Sequence, residues 1–218
     1  MPQIFRRRSN TIARATLAGV FLLIVLSGWG LHAVFWSPLV TKQRMPQEQP
    51  VMFSHQHHYS GLGIDCRYCH TSVESSSFAG IPPTETCMTC HSQIWKEAPL
   101  LEPVRQSLAT GQPLQWNRVH DLPDFVYFEH SIHVQKGVGC STCHGRVDQM
   151  PLVWKEQSLY MKWCLDCHRQ PEKFVRLREE VFNMKWEPKA TQWAQGKKLI
   201  QENHIASWRL SDCNVCHR

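Results

Sequence analysis

The sequence has few charged residues. Asp, Glu, Lys and Arg make up 19% of its 218 residues, whereas a share of about 25% is usual for globular proteins. The formal net charge is +6, but four of the 24 basic residues stand before a long uncharged segment, namely Arg6, Arg7, Arg8 and Arg14. The other basic residues nearly balance the 18 acidic ones. The charge pattern therefore gives no reason to expect a nucleic-acid partner.

Charged side chains are absent altogether from Ala15 to Thr41. The apolar part of this segment, residues 16–36, has the length of about 20 residues that a membrane-spanning helix needs. The arginines before it place residues 1–15 in the cytoplasm and the chain after Thr41 on the far side of the membrane. A cleaved signal peptide would be shorter and would end at a small-residue site, and no clear A-x-A follows Leu26. We therefore expect an uncleaved single-pass anchor.

No cysteine of the chain lies outside one recurring motif. All ten cysteines occur in five C-x-x-C-H motifs, which we number in chain order: Cys66 to His70, Cys87 to His91, Cys140 to His144, Cys164 to His168 and Cys213 to His217. Two thiols three positions apart reach the two vinyl groups of one haem, and the next residue puts an imidazole beneath the iron. We therefore expect five covalently bound haem c groups.

The ligands at these five haems follow directly from the motifs. Thioether bonds are expected at Cys66, Cys69, Cys87, Cys90, Cys140, Cys143, Cys164, Cys167, Cys213 and Cys216. Proximal iron ligands are expected at His70, His91, His144, His168 and His217. Other uses of paired cysteines explain the pattern less well. Zinc ribbons need two C-x-x-C pairs per metal, thioredoxin-like sites need a βαβ setting, and neither these nor a disulfide scaffold requires the histidine.

The number of haems predicts the fold class. Roughly 35 residues of the chain after the anchor are available for each haem, so the polypeptide wraps haems rather than building sheets or bundles. We expect a multihaem cytochrome c with little regular secondary structure, short helices and many loops. Candidate helices lie near Leu100 to Thr110, ended by Gly111, and near Thr191 to Glu202.

An internal repeat precedes two of the motifs. A segment of the form F-x-H-x-x-H, here called a bihistidine segment, stands before motif 1 as Phe53, His55 and His58, and before motif 3 as Phe128, His130 and His133. The two bihistidine segments lie about 75 residues apart, which indicates duplication of a two-haem unit. We therefore divide the chain into a linker at 37–52 and a haem domain at 53–218, with repeats at about 53–127 and 128–200 and a C-terminal haem segment at 201–218.

A bihistidine segment followed by C-x-x-C-H resembles the class III cytochromes, of the c3 and c7 types. The resemblance implies that the first histidine of the segment is the distal ligand of the following haem and that the second reaches a neighbouring haem. The distal ligands implied are then His55, His58, His130 and His133. For the fifth we expect His120, with His204, His57, Met150 and Met161 as open alternatives. A thioether ligand would raise the potential of its haem.

Three stretches carry a narrower resemblance. They are "GIPPTETCMTCHSQIW", "RVHDLPDFVYFEHSIHV" and "CHGRVDQM…MKWCLDCHR". With the five motifs and the anchor, they resemble the pentahaem subunit of alternative complex III, a bacterial quinol oxidoreductase. The resemblance implies a haem domain in the periplasm, anchored in the bacterial inner membrane beside iron-sulfur and polytopic quinol-oxidising subunits. It also implies electron transfer to a cytochrome c or a terminal oxidase.

Two other functions compete with this interpretation. Membrane-anchored quinol dehydrogenases of the NapC/NrfH type also begin with one helix, but they usually carry four haems. A multihaem reductase would need an open iron position or an unusual proximal ligand, such as a lysine in the binding motif. All five motifs end in histidine. We therefore expect an electron carrier and assign no catalytic residues.

Overall fold

The computed structural model describes residues 5–6 and 8–217. Arg7 of the N-terminal arginine group, the first four residues of the predicted cytoplasmic segment and Arg218 lie outside the described residues. The described chain consists of short helices and loops and contains no β-strand. Val138 and Val175 form an isolated antiparallel bridge. This architecture confirms the fold class that the sequence predicts.

The chain divides after Gln43 into two compact units. The first contains helix α1, Ser9–Phe35, and the short helix α2, Pro38–Thr41. Helix α1 has 27 residues and is thus about 40 Å long, more than the roughly 30 Å of a bilayer's hydrocarbon core. It is long and apolar enough to cross a membrane, and none of its residues is buried. It begins before the predicted span 16–36 because the polar residues ahead of that span continue the helix.

The second unit begins at Arg44 and contains all the motifs. Its α-helices are α3 Cys66–Cys69, α4 Thr84–His91, α5 Glu102–Thr110, α6 His130–Gln135, α7 Cys140–His144, α8 Met161–Arg169, α9 Gln192–Glu202 and α10 Cys213–Cys216. A π-helix spans Gln56–Gly61, and 3₁₀ turns span Pro99–Leu101, Val147–Gln149, Pro171–Lys173, Arg178–Glu180 and Ser207–Arg209. Helices α5 and α9 confirm the two predicted helices. Gly111 ends α5 in the left-handed region, at φ 66°, where glycine carries no steric penalty.

Every motif lies on a helical turn. Motifs 1, 3 and 5 start their helices, whereas α4 and α8 begin three residues before the first cysteine. Residues three apart lie on the same side of a helix, so one turn projects both thiols of a motif in one direction. The Asp65 carboxylate caps the turn of motif 1 by accepting a hydrogen bond of 2.8 Å from the backbone N–H of Arg67.

The apolar core is small and divided. One cluster joins Val51, Leu101 and Val104. The other joins Val73, Val134 and Val181, and therefore connects the segment after motif 1 to the helix of the second bihistidine segment. Two clusters of three buried residues are a small apolar core for a unit of this length. The sequence-based expectation that haem rings supply much of the interior agrees with this arrangement.

Candidate haem-binding sites

The first bihistidine segment is organised around Phe53. Its ring centroid lies 4.9 Å from that of His55, edge-on at 89°, and 4.3 Å from that of His58, at 28°. His55 immediately precedes the π-helix that contains His58. The Phe53 ring therefore contacts both imidazoles, and these aromatic contacts favour one fixed orientation of each imidazole.

The second bihistidine segment repeats this arrangement on helix α6. The Phe128 ring lies 4.7 Å from the His130 ring at 90° and 4.6 Å from the His133 ring at 27°. Distances and angles match those of the first bihistidine segment within a few tenths of an ångström and a few degrees. The repeat inferred from sequence is thus also a repeat in three-dimensional geometry.

The four histidines of these segments face four motif histidines. The ring centroids are 6.5 Å apart for His55 and His70, 6.2 Å for His58 and His91, 6.3 Å for His130 and His144, and 6.2 Å for His133 and His168. Imidazole nitrogens bind metals at about 2.0 Å, and each ring centre lies about 1.2 Å behind its nitrogen, which predicts a separation of about 6.4 Å across one metal. The observed pairs fit two axial ligands on one iron. The first histidine of each bihistidine segment faces the next motif, and the second faces the motif after it.

The Nδ1 atoms of seven histidines in the motifs and bihistidine segments contact backbone carbonyl oxygens. Among the motif histidines, His70 donates to Gly80, His91 to Ile94, His168 to Leu210 and His217 to Phe125, at 2.7, 3.3, 2.8 and 3.0 Å. In the bihistidine segments, His58 donates to Ser54, His130 to Ser77 and His133 to Glu129, at 2.8, 2.8 and 2.6 Å. A carbonyl only accepts, so Nδ1 carries the proton and Nε2 keeps a free lone pair. This is the tautomer that binds a metal through Nε2.

His55 differs from the other three histidines of the bihistidine segments. Its Nδ1 is buried and has no hydrogen-bond partner in the part of the chain that the structure describes. Burial, followed by the nearby His70, lowers the pKa of His55 to about 4. The imidazole is therefore neutral at physiological pH, which is the state a metal ligand needs.

The thiols lie in an apolar environment. Burial raises the pKa of Cys140 and of Cys167 to about 11 and that of Cys143 to about 12. Zinc binding and thiol redox chemistry use the thiolate, which a raised pKa disfavours. Thioether bonds to a haem carry no charge and suit such a site. The cysteines, like the histidine pairs, therefore fit covalently attached haem.

Two family models match this chain on separate segments. The Class III cytochrome C family matches residues 37–106, which hold the first bihistidine segment and motifs 1 and 2. Cytochrome c7 and related cytochrome c match residues 126–218, which hold the second bihistidine segment and motifs 3 to 5. The fold and the two matched segments are those of a multihaem cytochrome c. Such proteins attach haem c covalently and transfer electrons, so these two properties carry over to this cytochrome.

One curated relative spans nearly the whole cytochrome. It is the multiheme cytochrome c subunit of a menaquinone reductase from Nitratidesulfovibrio vulgaris strain Hildenborough. The two sequences are 27% identical over 205 residues, which are 92% of this chain and 87% of the relative.

Hydrogen bonds connect the motifs of the cytochrome to one another. The Tyr68 hydroxyl of motif 1 and the Thr89 hydroxyl of motif 2 are 2.8 Å apart. The backbone N–H of His130 donates to Ser77, seven residues after motif 1, at 3.2 Å. Motif 1 therefore lies between motif 2 and the second bihistidine segment.

The C-terminal motif extends this series. His168 of motif 4 donates to the Leu210 carbonyl, three residues before motif 5, at 2.8 Å. The backbone N–H of Tyr127, next to the second bihistidine segment, donates to the Cys216 carbonyl at 2.8 Å. Because the second bihistidine segment faces motifs 3 and 4, the motifs follow one another in the order 2, 1, 3, 4, 5.

The structure does not bring His120 opposite a motif histidine, as the fifth distal ligand would require. Its Nε2 lies 3.3 Å from the Nδ1 of His144, and the two ring centroids are 4.3 Å apart. This separation is about 2 Å shorter than in the four facing pairs, too short for an iron between the rings. His120 as the fifth distal ligand stays a prediction, and in this structure its ring contacts the Nδ1 side of His144.

The other candidates for the fifth distal position are placed as follows. His57 is exposed and packs against the Trp95 ring at 5.7 Å. His204 is exposed in the left-handed region at φ 50°. Met161 is 60% exposed and Met150 is 1% exposed. The His217 ring contacts that of Phe125 at 5.8 Å, and no histidine ring of residues 5–6 and 8–217 faces it as in the four pairs.

Arg176 is a site residue that sequence reasoning missed. It is 2% exposed, lies over the Trp186 ring at 4.1 Å, and donates to the Ser141 and Thr142 hydroxyls at 3.2 and 2.8 Å. Those hydroxyls belong to the two residues between the cysteines of motif 3. A Cβ at Gly139 would lie 1.9 Å from the guanidinium carbon. A glycine directly before a motif is the sequence signal for this close approach.

Proposed function

We propose that this cytochrome carries electrons through five haems, one at each motif, as a subunit of a quinone-linked membrane complex. The observation that carries the proposal is the set of four facing histidine pairs at 6.2–6.5 Å. When bound, haem supplies one-electron transfer between ferric and ferrous iron. The cysteines hold each haem covalently, and the distal roles fall to His55, His58, His130 and His133.

The paired histidines favour a carrier over an enzyme. A catalytic haem keeps one axial position for substrate, whereas a histidine on each face leaves no such position at four of the motifs. Backbone carbonyls fix the Nδ1 proton of most of these ligands and so keep Nε2 directed at the metal.

The order of the motifs suggests where electrons enter and leave. Motifs 2 and 5 stand at the two ends of the series, and a cysteine of each is exposed, Cys90 and Cys213. Motif 3, in the middle, contains Cys143, whose pKa is raised by burial. We assign entry and exit to the two end motifs, because partner proteins have access to them there.

The membrane arrangement rests on helix α1 and the arginines before it. Helix α1 is the proposed uncleaved anchor, with the N-terminus in the cytoplasm and the haem unit in the periplasm of a bacterial inner membrane. The resemblance to alternative complex III supports iron-sulfur and polytopic partners, and a cytochrome c or a terminal oxidase as acceptor. The name of the relative, a menaquinone reductase subunit, supports a second candidate in which electrons run towards the quinone.

Haem content and spin state test the relay. Pyridine haemochromogen analysis should give five haems per chain. His58→Ala should convert one low-spin haem to high spin in electron paramagnetic resonance spectra, because it removes an axial ligand. Gln56→Ala, at an exposed position of the same π-helix, is the matched control and should leave the spectrum unchanged. Fewer than five haems, or an unchanged spectrum for His58→Ala, would refute the assignment.

The direction of transfer is tested on the complex purified in mild detergent. Co-purification of iron-sulfur and polytopic subunits is expected. Menaquinol and a reduced periplasmic cytochrome are then added separately, and haem reduction is followed optically. Reduction by menaquinol supports quinol oxidation, whereas reduction by the cytochrome followed by menaquinol formation supports the second candidate. Quinol oxidation by the isolated chain would instead favour the NapC/NrfH-type function.

A further inference from the structure

His144 differs from the other four motif histidines in what its Nδ1 contacts. His70, His91, His168 and His217 each donate to a backbone carbonyl. The Nδ1 of His144 instead lies 3.3 Å from the Nε2 of His120, with the rings at 71°. The Nδ1 of the proximal histidine thus contacts a side chain in motif 3 and the main chain in the other four motifs.

The surroundings of His120 favour the role of an acceptor. His120 is half-buried, and the 3.3 Å contact of its Nε2 with the Nδ1 of His144 needs one donor and one acceptor. A His144 that binds iron through Nε2 carries its proton on Nδ1 and is therefore the donor, so the Nε2 of His120 accepts.

We propose that His120 is a positioning residue for His144, accepting a hydrogen bond at Nε2 from the Nδ1 of His144 and so fixing the orientation and basicity of that ligand. The inference rests on the proposed ligation of the motif 3 haem by His144. The partner of a metal-bound imidazole tunes the electron density that the ring donates. An acceptor stabilises the ferric state, so its loss should raise the potential of this haem relative to the others.

Redox titration of His120 variants of the whole chain tests this role. His120→Leu removes the acceptor and should change the reduction equilibrium of one haem about tenfold, which is about 59 mV upwards for one electron. His120→Gln can place an amide oxygen near the position of Nε2 and should restore the wild-type potential. Gln201→Leu is the control, because it makes a similar polar-to-apolar change at an exposed position of α9.

The outcomes separate the possible roles. If His120 is instead a distal ligand, His120→Leu will convert one low-spin haem to high spin. Unchanged potentials in His120→Leu, or an equal shift in His120→Gln, would also overturn the proposal. Should His120→Leu fail to fold, His120→Asn serves in its place, because its amide is too short to reach His144. A wild-type chain with fewer than five haems would refute the proposed function and not this inference alone.

Discussion

The two repeats, each a bihistidine segment with the motifs that it faces, share one ligand geometry and differ in what surrounds it. In the first repeat, Arg67 belongs to motif 1 itself and lies over the Phe182 ring at 4.6 Å, half exposed. In the second, a distant arginine, Arg176, lies beneath motif 3 and over Trp186, and it is fully buried. Burial raises the pKa of Cys143 to about 12. The facing histidines therefore have the same geometry in both repeats, but the arginine beside them lies at the surface in the first repeat and in the interior in the second.

The segment between Arg176 and Trp186, which belongs to the second repeat, contacts both repeats. Within it, Val181 accepts a hydrogen bond from the backbone N–H of Cys140 in motif 3, at 3.1 Å. Phe182 contacts Arg67 of motif 1 and accepts a hydrogen bond of 3.3 Å from the Tyr59 hydroxyl at the first bihistidine segment. The repeats thus depend on a segment that lies outside their bihistidine segments and motifs. Substitutions along it should affect the second repeat more than the first.

The largest difference in unfolding free energy is expected for substitutions of the residue directly before motif 1 and directly before motif 3. Gly139→Ala places a Cβ against the buried guanidinium of Arg176, and this overpacking should cost about 3 kcal/mol or more in unfolding free energy. Asp65→Ala at the matching position removes a helix cap on the surface and should cost about 1 kcal/mol. Thermal unfolding of the two holo variants measures both. Equal losses would contradict the contrast between interior and surface.

The second largest difference in stability is expected between substitutions of Arg176 and of Arg67. Arg176→Met keeps much of the packing on Trp186 but leaves the Ser141 and Thr142 hydroxyls and two carbonyls without their donor. We expect a loss of about 2 kcal/mol and a fall of roughly 4–8 °C in Tm. Arg67→Met is the matched substitution and should lower Tm by less than Arg176→Met does, since water replaces the contacts of a half-exposed arginine. A larger fall for Arg67→Met would show that the first repeat depends on its arginine too.

Sequence analysis predicts the parts of this molecule that local spacing encodes. Motifs, bihistidine segments and helices α5 and α9 follow from residues within about one or two turns of each other. The contact of His120 with His144 spans 24 residues, and that of Arg176 with Ser141 spans 35. Neither contact follows from a pattern of neighbouring residues, and His120 is a candidate ligand only by its residue type. Sequence reasoning therefore missed the contact of His120 with His144 for the same reason that it missed Arg176.

The smallest expected effect concerns charge at the surface of the first repeat. Hydrogen bonds from Arg67 are the main cause that lowers the pKa of Asp65 below its usual 3.8. A lowered pKa in the folded state stabilises the protein above the unfolded value, and this contribution is lost as pH falls through the folded pKa. Asp65→Asn keeps the capping oxygen and removes the charge. It should cost less than about 1 kcal/mol at pH 7, because half-exposed pairs are screened by water.

The acid range separates charge from capping at Asp65. The stability difference between wild type and Asp65→Asn should shrink below pH 4 and disappear once the Asp65 carboxyl is protonated in the folded state. In an Arg67→Gln background the substitution should have a smaller effect at every pH, because the carboxyl has lost its main partner. Thermal unfolding from pH 3 to pH 7 measures both series. A difference that persists in acid would assign the contribution to the cap alone, and the first repeat would then owe no stability to this ion pair.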